Sequence, residues 1–378
     1  MKRLQTIALM TLFATISVQF FVIYSFFTDH THPFKARSPS NYDHNSALSR
    51  ELKARAMLYY RLSESQMLSR GMTVNLNGEG RFVDYCDSLL FSSLRYRSLQ
   101  LMNMNKQAEQ AWSAILASAK NADGDWIRHP KCDRLGLSRD MFMGLMIALE
   151  SKPENSELIL KNLLLQIAKR NGKFSDGPFY LSFLSPGTAS LLRGIADQNQ
   201  IGYSNYPWIL KQSFSSIEVD TFFLKPGYES HLAGLGIWLE LQLRDGDSSF
   251  NPRSFMGEIE RRINAGDGLF NEGATQSDQF RLNWVTSKLV NDNPRNLFFR
   301  YLYHRARHDL TAQRRMELTS ELLAMPQFPP DDLPMDCHKD ADYLWQRKDE
   351  DYDPTTNICR HRYSGVDFLW MAAMLSSQ

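Results

Sequence analysis

Several stretches of this chain are apolar on every side of a helix, and that pattern restricts the fold more than any other feature. They are residues 87–94, 140–149, 188–195, 231–243, 280–289 and 365–375. A helix with no polar face must be surrounded by protein. Between them lie helices with one charged face, at 106–120, 154–170, 207–217 and 252–263. The spacing is helical: Phe142, Leu145, Met146 and Leu149 fall at i, i+3, i+4 and i+7. Pro153 stands where a helix can start. Strand alternation is nearly missing, although residues 71–76 suit a small hairpin.

The two helix types alternate. The buried ones recur about every 45 residues, with a last interval about twice as long, and a period in this range matches a helix pair with its loops. Alternation of this kind demands an inner and an outer layer. In this respect the chain resembles the six-hairpin toroids of many glycan hydrolases and polysaccharide lyases. The resemblance is one of architecture, covers about residues 48–378 and includes no family motif. It implies an all-α (α/α)6 toroid whose funnel is lined by the starts of the inner helices and the loops before them. A shared fold does not by itself assign a reaction.

The N-terminus sets the expected compartment. Lys2 and Arg3 are followed by no charge until Asp29. At about 1.5 Å per residue, residues 4–27 cross a hydrocarbon layer of roughly 30 Å. The run is longer than a signal-peptide core and ends in bulky residues, Val22 to Phe27, rather than a small-residue cleavage site. Residues 1–27 therefore read as an uncleaved transmembrane anchor, with Lys2 and Arg3 cytoplasmic. Residues 28–46 read as a polar linker, and 47–378 as one helical domain on the periplasmic or extracellular side. Cys86, Cys132, Cys337 and Cys359 all fall in that exported part. Four cysteines allow three pairings; Cys86–Cys132 and Cys337–Cys359 each close a moderate loop.

Lys and Arg number 43 against 42 Asp and Glu. This balance, without a basic stripe, points away from a nucleic-acid partner. No phosphate-cradling, dinucleotide-binding or nucleophile-elbow motif occurs, so no cofactor is expected. Nor is a metal. His304 and His308 have a ligand-like spacing but lie among arginines, which oppose a dication. Asp123-Gly124-Asp125 and Asp245-Gly246-Asp247 do not match the EF-hand pattern.

The starts of the buried helices carry polar groups: Asp87, Asp140, Thr188, His231, Asp278 and, inside a first turn, Asp367. Asp, Ser and Thr at such places commonly cap the helix or complement its dipole. The set also offers the two carboxyls that glycoside hydrolysis requires. Partial burial beside a second carboxylate raises the pKa of one member of such a pair. Asp87 and Asp140 come from adjacent inner helices and are the first candidates, with Asp367 as a substrate contact. The loop before Asp140 holds Trp126, Arg128 and His129, suited to a sugar face and its polar groups. A lyase would need a base and a cation beside a uronate, roles open to Tyr228, His231 and Arg139. The expected function is thus a membrane-anchored enzyme acting on a polysaccharide, a hydrolase before a lyase. The alternative is a non-catalytic envelope protein that binds a glycan or protein during surface-polymer assembly.

Overall fold

Helix α1 (Ala47–Gln66) starts where Ser46 accepts a bond from the Ser49 N–H, satisfying one of the orphan donors of a first turn. The computed structural model describes residues 46–77, 81–120, 124–133, 136–175, 184–201, 228–246, 271–324, 352–353, 358–359, 361–362 and 364–377. The proposed anchor, the proposed linker up to residue 45, the helices expected at 207–217 and 252–263, and Cys337 lie outside them, as does the side chain of Cys359.

After α1 come the hairpin β1 (Leu68–Ser69) and β2 (Met72–Thr73), whose second strand falls within the 71–76 hairpin expected and whose first precedes it, and then β3 (Asn75–Asn77) and β4 (Phe82–Asp84). The chain then alternates α2 (Ser88–Leu101), α3 (Asn105–Ser118), α4 (Arg139–Glu150), α5 (Ser156–Lys169) and α6 (Pro186–Gln198). Next come α7 (Tyr228–Gly246), α8 (Asn271–Asp292), α9 (Leu297–Ala306) and α10 (Ala312–Ala324). Two short strands, β5 (Tyr352–Asp353) and β6 (Ile358–Cys359), pair with each other; β7 (His361–Arg362) and α11 (Val366–Ser376) follow. Among the described residues no helix is long and apolar enough to cross a membrane.

Burial sorts the helices into two layers. In α4 every residue from Met141 to Glu150 is buried, and in α11 every residue from Val366 to Leu375. In α3, by contrast, only Ala108, Ala111, Trp112, Ile115 and Ser118 are buried, one stripe at helical spacing. Inner helix α2 packs on α4, α4 on α6 and α7, α6 on α7, α7 on α9, and α11 on α2, while α10 touches both α9 and α11. The fifth buried helix expected from the sequence, 280–289, is corrected. Among the described side chains of 280–289, only the stripe Leu282, Val285, Thr286 and Leu289 is buried, while Arg281, Asn283, Ser287 and Lys288 are partly exposed. The inner position belongs to α9, which buries Leu297, Phe298, Phe299, Tyr301, Leu302 and Ala306.

The inner helices run the same way. Near their starts, the Leu90 N–H of α2 lies 3.3 Å from Met141 Sδ of α4; near their ends, Arg97 lies 3.0 Å from Glu150. A Cβ on Gly144 would stand 2.8 Å from Leu90 Cα, so glycine sets how closely these two helices approach. Helix α7 matches α4 through Arg139 and Glu229 at their starts. It matches α9 through His231 and Phe299 at one end and Asp245 and Arg305 at the other. Ser156, at the start of α5, donates to Asn199 at the end of α6, so α6 ends beside the end of α4. The sheet order β4-β3-β7 puts the strand before α2 and the strand before α11 in one sheet, on either side of β3, so these helices also start together. Trp238 of α7 meets Trp370 of α11 edge-on, centroids 4.6 Å apart, both fully buried.

Candidate functional site

The parallel inner helices gather their N-termini into one rim, which we call the mouth. Each contributes the positive end of a helix dipole. Asp87 occupies the N-cap of α2, yet its side chain makes no capping bond, contrary to the commonest role of such a residue. Asp140 lies in the first turn of α4, where Ser138 Oγ donates to its carboxylate. Both are partly exposed. Asp367, in the first turn of α11, is buried, and its Oδ1 accepts from the Phe368 N–H at 3.1 Å. Thr188 donates its N–H to Ser185, the N-cap of α6, so its place is in a capped first turn. The side chains of Tyr228 and Asp278 lie outside the described residues.

Arg139 of α4 donates to Glu229 of α7 at 3.0 Å, with both side chains one-third exposed. The cation expected to face a substrate carboxylate is therefore engaged by an acid. Glu229 was not singled out from sequence; the only signal was its place between Tyr228 and His231. His231 is fully buried, its ring 5.1 Å from that of Phe299, a setting that suits a core histidine better than a base open to substrate.

The loop before Asp140 is also corrected. Trp126 is buried and forms an isolated bridge with Lys120, whose ammonium lies 4.8 Å from the indole. Arg128 is buried and donates through Nε to the Gly136 carbonyl at 2.8 Å. His129 is fully buried. Its Nδ1 accepts from the Lys131 N–H at 3.0 Å, so the proton sits on Nε2, which donates to the Ser69 carbonyl at 3.3 Å. Burial holds its pKa below the usual histidine value, in keeping with a neutral ring. These three side chains hold the loop in place rather than presenting it to a ligand. The disulfide Cys86–Cys132, with Cα atoms 5.4 Å apart, fastens the loop one residue from Asp87, in agreement with the pairing expected from sequence.

At their opposite ends the inner helices finish in charged pairs: Arg97–Glu150, Arg244–Glu240 and Arg305–Asp245. Burial pushes the Glu150 carboxyl up, while Arg97 opposes the shift. Among the described residues no group of three or more His, Cys, Asp or Glu is arranged to hold a metal ion.

No family model matches this chain, and no curated protein matches it. Among solved structures it is similar to a crystal structure of D-mannose isomerase, with 11% identity and a TM-score of 0.42, over 87% of this chain and 97% of that one. At that score the likeness carries no argument about function.

Proposed function

We propose that this chain is a polysaccharide-active enzyme, a glycoside hydrolase, working at the mouth of a complete six-hairpin toroid. The observation that supports this is the convergence of carboxylates at one rim: Asp87 from α2, Asp140 from α4 and Glu229 from α7. Hydrolysis of a glycosidic bond uses one carboxylic acid to protonate the leaving oxygen and a second carboxylate as base or nucleophile. Asp87 and Asp140 fill these roles, and the Arg139–Glu229 pair positions the neighbouring edge. The surrounding helix starts favour negative charge at that rim. In this proposal residues 4–27 hold the enzyme in a membrane, with the toroid on the periplasmic or extracellular side. The uncharged run after Lys2 and Arg3 supports that placement.

The test uses the full chain, disulfide intact, incubated with neutral and acidic polysaccharides. New reducing ends that disappear in Asp87→Asn or Asp140→Asn establish the hydrolase. Reducing ends accompanied by the ultraviolet absorbance of unsaturated uronates make it a lyase. Silence across the panel from a folded protein overturns the enzyme and leaves a binding role in surface-polymer assembly.

A further inference from the structure

An aromatic stack stands at the edge of the mouth beside the disulfide. Phe82 lies on β4, the edge strand of the three-stranded sheet, and is 39% exposed, one of few large apolar side chains so placed among the described residues. Its ring meets Tyr85 edge-on, centroids 6.2 Å apart, and Tyr85 in turn lies 4.8 Å from the ring of His129. His129 is fully buried and held by bonds at both nitrogens, so the stack rests on a fixed base. Lys131 is exposed; its ammonium donates to Tyr85 Oη at 2.9 Å and lies 4.7 Å from the Tyr85 centroid. An ammonium has three hydrogens to donate. Only one is used here, and Lys131 has no carboxylate partner among the described residues.

An exposed aromatic face beside an unneutralised cation fits a sugar whose apolar face stacks and whose carboxylate meets the charge. We propose that Phe82, Tyr85 and Lys131 form a binding platform for the uronate residues of an acidic polysaccharide. This deepens the proposed function and rests on it for the link to catalysis. Tyr85 precedes Asp87 by two residues, at most about 7 Å of chain, so a glycan held on the platform runs directly to the rim. The disulfide between Cys86 and Cys132 joins the two halves of the platform, and little ordering is left to occur on binding.

The test is calorimetric binding of the full chain to oligogalacturonate and to the same oligomer with its carboxyls methyl-esterified. The acidic oligomer binds at least tenfold more tightly. Lys131→Gln removes that difference and leaves the ester unchanged, Lys131→Arg keeps it, and Phe82→Ala weakens both ligands. Unchanged circular dichroism shows that each variant is folded. Absence of binding, an acidic preference untouched by Lys131→Gln, or equal displacement by inorganic polyphosphate overturns the platform. If a neutral glycan is cleaved without uronate binding, the platform fails and the hydrolase stands. If uronate binds and nothing is cleaved, the platform stands and the hydrolase fails.

Discussion

Arg139 at the start of α4 and Glu229 at the start of α7 meet at 3.0 Å across the mouth. Each remains one-third exposed, and a pair in that setting contributes less than about 1 kcal/mol. A double-mutant cycle of Arg139→Ala and Glu229→Gln, followed by urea denaturation, is expected to give a coupling energy below that limit. Activity is expected to fall further than stability in both variants, because the pair orients the rim. A coupling of several kcal/mol would make the pair a structural tie instead.

The two carboxylates of the proposed reaction have a sharper signature. General acid–base groups contribute on the order of 100- to 10,000-fold. Asp87→Asn and Asp140→Asn are each expected to lower the hydrolysis rate by such a factor.

Gly144→Ala probes the contact that holds α2 against α4. The new methyl group meets the Leu90 backbone at 2.8 Å, where no flexible side chain can yield. Overpacking of this kind costs about 1–3 kcal/mol. A shift of the urea midpoint in that range, with the dependence on urea concentration unchanged, is the expected result.

The disulfide is expected to matter for stability as well as position. Its cysteines are separated by 46 residues, and closing a loop of that size stabilises by about 4 kcal/mol in the chain-entropy model. Replacing both Cys86 and Cys132 with serine is expected to lower stability by about 2–4 kcal/mol, measured by denaturation against the oxidised wild type.

His304 supplies a pH dependence whose sign is fixed. Burial first, then the nearby Arg314, Arg300 and Arg307, push its pKa down from 6.5 to about 4; Asp309 lies 3.0 Å from its Nδ1. Between those values the unfolded chain binds the proton and the folded chain does not. The histidine's contribution is therefore complete above about pH 6.5 and is lost as pH falls through 4. The difference in stability between wild type and His304→Asn is expected to shrink over that window. A difference independent of pH would remove His304 as the titrating group.

The layered helical fold was legible because all-round apolar helices such as 140–149 and 365–375 have no alternative to burial. The position of α9 was not. Arg300, His304 and Arg305 disguise it as a surface helix, whereas in the fold Arg300 pairs with Glu321 and Arg305 reaches Asp245. That Asp87 and Asp140 stand at helix starts was readable from the apolar runs that follow them. The aromatic and basic residues of the loop at 124–133 misled, because Gly124 and Pro130 suggest a solvated turn. Trp126 is instead drawn inward by its bridge to Lys120, and Asp125 is tied to Arg170 at 2.8 Å. Glu229 was hidden because one acid between a tyrosine and a histidine has no period to reveal it. Its role depends on α4 and α7 being neighbours, a long-range fact.

The clasp of α11 against α1 and α2, with β7 zipped to β3, bears on how the protein is made. A nascent chain that has produced α1 and α2 leaves the faces they turn to α11 uncovered until about 265 further residues, from Leu101 to Val366, have been synthesised. During that interval Tyr59 and Arg55 lack the Phe368 ring of α11 that packs against them in the finished fold. Translation therefore passes through a long open intermediate with its first hairpin unsealed. A chain stopped before Val366 would remain in that state and would be a natural substrate for chaperones and quality-control proteases.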